Sequence, residues 1–209
     1  MTCENASMDN DKPNDGGELF QFLVPPLTPG VEFTLVLDLD ETLVHARGES
    51  VLVRPYLDLL SMTLSTLNCE VIMWTAGTHE HVNKVMPYIS SLKFDHIITR
   101  NDRWYKEAEG GKAEYTKDLT LLGRRLDKVV IVDNSPSCVY TTPFNSIVVK
   151  SFTGKETADE DLFLLSRNVI FMFSNCSDVR CWIHNRNDVF HPEYFPKSRF
   201  INYFTMISD

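Results

Sequence analysis

Short, continuous apolar runs alternate with segments of helical periodicity along this chain of 209 residues. Runs such as FTLVL at 33–37 and VVIV at 129–132 do not alternate with polar residues, which is typical of strands buried on both faces. The predicted strands lie at 33–37, 69–74, 96–99, 129–132 and 146–149, and the predicted helices at 55–67, 78–89, 117–122 and 159–173. Strands separated by helices favour right-handed βαβ units. The sequence therefore predicts an α/β fold with a central, mostly parallel sheet flanked by helices.

Composition along the chain suggests three regions. Residues 1–17 are rich in Asn, Asp, Ser and Gly, so we predict a disordered tail. Residues 18–183 hold the alternating pattern and form the predicted domain. Residues 184–209 are rich in aromatic side chains, and we expect a strap that packs on the domain. A docking surface for a partner is the alternative, because aromatic residues are also enriched at interfaces.

Charge and cysteine content exclude several classes of function. A net charge of −9 and a pI near 5.1 argue against direct nucleic-acid binding, which needs a basic surface. We expect no transmembrane segment and no signal peptide, and hence an intracellular protein, since no long apolar run appears. Nucleus and cytoplasm are both compatible with the sequence, and we expect a monomer. The five cysteines include no Cys-x-x-Cys pair, so neither a disulfide framework nor a zinc site is indicated.

The first predicted strand ends in two carboxylates, Asp38 and Asp40, separated by one residue. Two such groups lie close in space and repel each other unless a cation lies between them. Mg²⁺ is a natural partner because it prefers oxygen ligands. Taken alone, an Asp-x-Asp pair is also common in ordinary turns.

Further polar residues follow the other strands. Thr75 and Ala76 come after the second strand, where a hydroxyl and backbone amides next to small residues can approach an anion. Asp133 and Asn134 follow the strand at 129–132, and Lys117 opens the predicted helix before it. Because ligands bind at the carboxyl ends of parallel strands, we expect these side chains to converge at one sheet edge.

Several stretches of the chain resemble the haloacid-dehalogenase superfamily. The most specific are DLDETLVH at 38–45 and VDNSP at 132–136; further matches are RPYLDLL at 54–60, VIMWTAG at 71–77 and DEDLFLL at 159–165. Within the superfamily, the chain looks similar to the small carboxy-terminal-domain phosphatase and dullard-like branch over residues 31–183. The resemblance implies a Rossmann-like fold with little or no cap and a Mg²⁺-dependent phosphatase that acts on phosphoserine or phosphothreonine in proteins.

The resemblance also implies roles for individual residues. Asp38 is the expected nucleophile and a metal ligand, and forms an aspartyl-phosphate. Asp40 is the expected general acid and then base, with its backbone carbonyl on Mg²⁺. Thr75 and Lys117 are expected to hold the phosphoryl oxygens.

The remaining implied roles concern the metal shell and the substrate. Asn134 is expected to complete the metal shell, while Asp133 either ligates through water or orients its neighbours. Arg100 begins a stretch that resembles the family's Arg-Glu-Ser-Cys segment, although the residues after it differ, and it is expected to contact the substrate phosphate. This set suits phosphoryl transfer, which needs positioning and charge neutralisation, and an Asp at position 40 favours a phosphatase over a dehalogenase.

Two other functions are compatible with parts of the sequence. A phosphatase of small metabolites is one, although no large cap that would enclose such a substrate is visible. A non-enzymatic binding platform, as in the mitochondrial presequence-translocase receptor, is the other; that branch looks to have lost the paired aspartates, which this chain keeps. After His45 only residues 46–53 precede Arg54, so an apolar specificity pocket built on a longer insertion is not expected.

Overall fold

A seven-stranded sheet is the centre of the fold in the computed structural model, which describes residues 21–107, 113–156, 158–196 and 198–207. The strands are β1 (Phe33–Leu37), β2 (Val44–Arg47), β3 (Ser50–Val53), β4 (Cys69–Trp74), β5 (His96–Ile98), β6 (Tyr105–Glu107), β7 (Ala113–Tyr115), β8 (Val129–Asp133), β9 (Ser146–Val148), β10 (Phe190–Glu193) and β11 (Tyr203–Met206). The helices are α1 (Leu57–Thr66), α2 (His79–Val85), α3 (Pro136–Val139), α4 (Asp161–Asn175) and α5 (Val179–Asn185). The main sheet has the order β10-β11-β9-β8-β1-β4-β5.

Strand β1 lies at the centre of this sheet and pairs in parallel with β4 and β8. Every residue of β1 and β8 is buried, as their uninterrupted apolar sequences predict. All other pairings in the main sheet are parallel except β10 with β11, which is antiparallel. The predicted α/β fold with a mostly parallel sheet is therefore confirmed.

Both faces of the sheet are covered by apolar side chains. Leu35 and Leu37 of β1 belong to one core cluster, which includes residues of α1 and α4. Val36 points the other way and packs with Trp74 and Trp104 in a second cluster. Two buried faces make a three-layer arrangement and leave the ends of the strands as the places where polar side chains can collect.

The helices differ from the prediction mainly at their ends. The helix predicted at 78–89 is α2 followed by a 3₁₀ turn at Met86–Ile89, because Pro87 cannot donate to the helical ladder. The prediction of a helix at 117–122 is wrong. Only a 3₁₀ turn at Leu119–Leu122 forms there, and Lys117 lies just before Asp118, the residue that caps this turn. Gly123 ends that turn at a φ of 66°, a conformation that glycine adopts without steric cost.

Two short hairpins and the C-terminal strands complete the fold. The hairpin β2–β3 occupies the region after the first motif, and β6–β7 follows β5. The predicted boundary between residues 183 and 184 falls within α5, and the segment after it contributes β10 and β11 to the main sheet. The predicted tail at 1–17 lies outside the described residues. No helix in the described part of the chain is long and apolar enough to cross a membrane.

A buried ion pair lies at the edge of the sheet where β1 and β4 begin, opposite to the edge at which these strands end. The carboxylate of Glu70 accepts hydrogen bonds from Nε and Nη2 of Arg124 at 2.8 and 2.7 Å and from the Thr34 hydroxyl at 2.7 Å. His96 Nε2 lies 3.3 Å from the same carboxylate. Burial alone would raise the pKa of Glu70, but the bonds from Arg124 and Thr34 hold it below its ordinary value.

We expect Glu70→Gln to lower the free energy of unfolding by about 3 kcal/mol at pH 7, because the buried Arg124 loses its counter-charge. A carboxyl whose pKa is lower in the folded state stabilises the fold above its unfolded pKa of about 4.3. That stabilisation disappears as the pH falls through the lower, folded value. The difference between wild type and variant should therefore shrink below about pH 4. Urea unfolding at pH 7 and pH 3.5 measures this difference in the free energy of unfolding, with Glu80→Gln, at an exposed position, as the control. An equal difference at both pH values would contradict the ion-pair explanation.

Candidate active site

Three neighbouring strands bring polar residues to one edge of the sheet. Asp38 follows β1, Thr75 follows β4, and Asp133 is the last residue of β8. The backbone N–H of Asp38 donates to the carbonyl of Val132 at 3.0 Å, which extends the pairing of β1 with β8 to the first carboxylate. The order of the parallel strands thus places these residues side by side, as their positions in the sequence predict.

Both carboxylate oxygens of Asp38 have partners. Oδ1 accepts a hydrogen bond of 2.6 Å from the ammonium of Lys117, and Oδ2 accepts one of 2.9 Å from the hydroxyl of Thr42. The Asp38 residue is only 7% exposed. A cation and a hydroxyl thus hold the Asp38 carboxylate in one orientation, which a nucleophile of this type requires.

The ammonium of Lys117 is buried between two carboxylates. It donates to Asp38 and also to Oδ2 of Asp133 at 2.7 Å. Burial alone would lower the pKa of Lys117, but the attraction of Asp133 and Asp38 raises it above its ordinary value. Lys117 therefore stays protonated. The other oxygen of Asp133 accepts from the backbone N–H of Ser135 at 2.7 Å, so both of its oxygens are engaged within the protein.

Asn134 turns its side-chain oxygen toward the same hydroxyl that holds Asp38. Oδ1 of Asn134 lies 3.4 Å from Oγ1 of Thr42, and its Nδ2 donates to Oγ of Ser151 at 2.9 Å. The bond to Ser151 fixes which end of the amide faces the site. Oxygen atoms of Asp38 and Asn134 are consequently neighbours around Thr42.

Asp40 lies on the other side of the site, between Thr75 and His81. Its Oδ2 is 3.4 Å from the hydroxyl of Thr75, and its Oδ1 is 2.7 Å from Nε2 of His81. The side chain of Asp40 is 31% exposed, in contrast to the buried Asp38. The two carboxyl groups thus have different surroundings, which is how paired carboxyls acquire different roles.

Arg100 lines the approach to this side of the site. Its Nε donates to the carbonyl of Ala76 at 2.8 Å, and its guanidinium lies over the ring of Tyr105, 4.4 Å from the centroid. The backbone N–H of Arg100 also donates to the carbonyl of Gly77. These contacts hold the loop after β4 and the segment after β5 together.

Behind the site, Arg54 is fully buried and joins two distant segments. Its Nε donates to both oxygens of Asp159 at 2.9 and 3.1 Å, and its Nη2 to Asp161 at 2.9 Å. Its Nη1 donates to the backbone carbonyl of Thr42 at 3.1 Å. The start of α4 therefore supports the turn that carries the Thr42 hydroxyl.

Three adjoining cavities form an open groove over these residues. The central one, of about 150 Å³, is lined by Asp38, Asp40, Thr75 and Lys117 among others. It lies between a cavity of about 420 Å³ beside Arg100 and one of about 750 Å³ beside Trp104. Tyr115 lines all three cavities, so they adjoin one another at this side chain.

Two protonated groups line the central cavity. Burial raises the pKa of Tyr115 to about 12, so its phenol remains a hydrogen-bond donor. Burial, together with the charge of Asp133, also raises the pKa of the Cys138 thiol. Because the thiolate is the reactive form of cysteine, Cys138 is not suited to act as a nucleophile here.

All eight site residues predicted from the sequence come together at the site. The structure places the following predicted side chains along the groove or directly beneath it: Asp38, Asp40, Thr75, Ala76, Arg100, Lys117, Asp133 and Asn134. Three contacts were not predicted. Thr42 belongs to the quoted motif without an assigned role, Arg54 lies within a matched stretch, and His81 has the sequence pattern of a polar helix residue.

Comparison with known proteins gives one family match over most of the chain. The family described as NLI interacting factor-like phosphatase matches residues 33–180. A probable C-terminal domain small phosphatase of Dictyostelium discoideum is 29% identical over 76% of this chain and 56% of its own length. The mitochondrial import inner membrane translocase subunit TIM50 of Phytophthora infestans is 35% identical over 66% of this chain and 34% of its own length. The chain thus spans about half the length, or less, of these relatives.

A solved structure of the fission yeast RNA polymerase II CTD phosphatase Fcp1, in an R271A variant bound to beryllium fluoride, also matches. It is 17% identical, with a TM-score of 0.44, and the match covers 69% of this chain and 51% of that chain.

Proposed function

The chain belongs to the family of NLI interacting factor-like phosphatases, and from this premise we propose that it removes phosphate from phosphoserine or phosphothreonine in proteins. The observation that carries the proposal is the setting of Asp38. Its two oxygens are held by Lys117 and Thr42 at the carboxyl end of the central strand, beside a second, more exposed carboxyl. A fixed, ionised carboxylate next to a carboxyl that can exchange protons is what two-step phosphoryl transfer requires.

In the first step, a carboxylate oxygen of Asp38 attacks phosphorus. The bond from phosphorus to the serine or threonine oxygen breaks, and protonated Asp40 gives its proton to that leaving oxygen. In the second step, the Asp40 carboxylate takes a proton from a water molecule that attacks phosphorus. The bond to Asp38 then breaks, which returns the free carboxylate and releases phosphate.

The side chains around the phosphoryl group have distinct tasks in this scheme. The ammonium of Lys117 and the hydroxyl of Thr75 lie in the central cavity and are suited to hold phosphoryl oxygens, with the backbone amide of Ala76 beside them. Arg100 is suited to contact the substrate from the adjoining cavity.

The donor atoms of the site fit a magnesium ion. A carboxylate oxygen of Asp38 and the amide oxygen of Asn134 both lie next to the hydroxyl of Thr42, and we propose them as two ligands of the ion. The backbone carbonyl of Asp40 is the third proposed ligand. Among the described residues, no three His, Cys, Asp or Glu side chains form a metal cluster. Magnesium needs no such cage, since one or two carboxylates, waters and substrate phosphate suffice. When bound, the ion supplies positive charge that offsets the charge of the phosphoryl oxygens. The contacts of Asp133 favour the second of its predicted roles, the orientation of Lys117.

The open groove favours a protein substrate over a small metabolite. Cavities of about 420 and 750 Å³ flank the central one, so an extended polypeptide can lie across the site on both sides of its phosphorylated residue. Besides the strands of the main sheet and the connecting helices and 3₁₀ turns, the described residues between β1 and β8 form the short hairpins β2–β3 and β6–β7. The described residues of these hairpins, four or fewer to a strand, form no cap of the kind that encloses a small metabolite.

We expect hydrolysis of p-nitrophenyl phosphate that depends on Mg²⁺. Removal of the ion with excess EDTA should reduce kcat by at least about 100-fold, because the loss of one electrostatic stabiliser of phosphoryl transfer has effects of this size. Added Mg²⁺ should restore the rate. Activity that is unchanged by EDTA would contradict the metal assignment.

The second candidate function is a binding platform without catalysis, and the 35% identity to a translocase subunit is the observation that favours it. The same assay separates the two functions. Folded, Mg²⁺-loaded protein without activity toward p-nitrophenyl phosphate or phosphoserine peptides would favour the platform, whereas activity lost in Asp38→Asn supports the enzyme.

A further inference from the structure

The imidazole of His81 lies against the carboxyl that we propose as the acid and base. Its Nε2 is 2.7 Å from Oδ1 of Asp40, and the two side chains are 28% and 31% exposed. The position of the ring follows from the local sequence. Thr78 caps α2 by accepting from the backbone N–H of His81, at 3.3 Å, so His81 is fixed in the first turn beside the site.

The loop after β4 leaves room for this ring only because residue 77 is glycine. A Cβ atom at Gly77 would lie 2.9 Å from Cδ2 of His81 and 3.2 Å from Oγ1 of Thr75. The first distance is shorter than carbon atoms tolerate without a shift. A side chain at this position would therefore push the ring away from Asp40 or displace the hydroxyl of Thr75.

We propose that His81 is a positioning residue that holds Asp40 in the orientation for proton transfer; the inference rests on the proposed phosphatase function. The N–H at Nε2 donates to Oδ1, which leaves Oδ2, the oxygen near Thr75, to carry the exchangeable proton. A donor at Nε2 exists in imidazolium and in one tautomer of neutral imidazole. The contact can thus be kept when Asp40 is protonated and when it is ionised.

The role has a specific chemical consequence. Without His81, the Asp40 side chain can rotate. Only a small fraction of the molecules then hold its carboxyl in the orientation that can donate or accept the proton. Proton donation matters most when the leaving oxygen is a poor leaving group, as in phosphoserine or phenyl phosphate. It matters little for p-nitrophenyl phosphate, whose leaving oxygen is stable as an anion.

The test compares these substrates in His81→Ala. We expect kcat/KM, which reports the steps up to breakage of the phosphate ester bond, to fall about 100-fold on phenyl phosphate and on a phosphoserine peptide, the size of a lost general acid. On p-nitrophenyl phosphate kcat/KM should be nearly unchanged, while kcat falls because attack by water on the phosphoenzyme needs Asp40 as base. Acid quench during turnover of labelled p-nitrophenyl phosphate should therefore show a larger fraction of covalent phosphoenzyme in His81→Ala than in wild type.

Three variants provide the controls. His79→Ala removes an exposed histidine from the same helix and should behave as wild type. His81→Gln retains an N–H donor and should recover part of the lost rate. In an Asp40→Asn background, His81→Ala should cause no further loss, because the group it positions no longer exchanges protons.

Other outcomes would overturn the proposal. These are an equal loss of kcat/KM on good and poor leaving groups, a change in KM alone, or an additive loss in the double variant. Failure of the proposed function has a different signature: wild type would then hydrolyse none of the three substrates.

Discussion

Replacement of Asp38 by Asn is expected to abolish turnover while the fold stays intact. The amide has nearly the same shape as the carboxylate but lacks the electron pair and charge needed to attack phosphorus. Loss of a covalent nucleophile reduces kcat by about 10⁴-fold or more. Steady-state hydrolysis of p-nitrophenyl phosphate measures the loss, and acid-quenched wild type should carry a label that hydroxylamine removes, as acyl phosphates do.

The matched control for this variant is Asp58→Asn, an exposed residue of α1 that lines none of the three cavities at the site. It removes the same charge and should leave kcat within about twofold of wild type, as surface substitutions have small effects. A covalent label that persists in Asp38→Asn would assign the nucleophile to another group. Similar thermal unfolding of both variants would show that the loss is chemical.

The sequence predicts the position of the site well because of how parallel sheets are built. Uninterrupted apolar runs identify buried strands, and the residue after each run must lie at the carboxyl edge. The apolar runs alone therefore assign Asp38, Thr75 and Asp133 to one edge. Their neighbours in space follow from strand order, which puts β1 between β4 and β8.

Contacts that depend on how a helix or loop is seated were not predictable in this way. His81 is one polar residue among several in α2, and only the packing of its first turn, with Gly77 beside it, brings it to Asp40. The helix predicted to open at Lys117 does not form there, yet the ammonium reaches the site from an extended segment. Its contact with both Asp38 and Asp133 gives it a structural role that its predicted phosphate contact did not include.

Because of this structural role, Lys117→Met should lower both the stability of the fold and the catalytic rate. Methionine is similar in length, so the variant leaves the carboxylates of Asp38 and Asp133 buried together without their cation. We expect the free energy of unfolding to fall by about 3–5 kcal/mol at pH 7. We expect kcat to fall about 10²–10³-fold, the usual cost of losing one electrostatic stabiliser. Urea unfolding in EDTA and steady-state kinetics measure the two effects, with the exposed Lys93→Met as the control.

The double variant Lys117→Met with Asp133→Asn separates these effects, since it removes one of the two opposed carboxylates. It should recover at least half of the lost stability but none of the lost activity.

Burial raises the pKa of Asp133 to about 6 even with Lys117 in place to lower it, and without Lys117 that pKa rises further. A carboxyl whose pKa is higher in the folded state destabilises the fold increasingly as the pH rises from its unfolded pKa of about 3.9. The instability of the single variant should therefore be largest at neutral pH and small near pH 4. If the double variant were no more stable than the single one at pH 7, repulsion between the two carboxylates would not be the cause, and Lys117 would stabilise the site through packing instead.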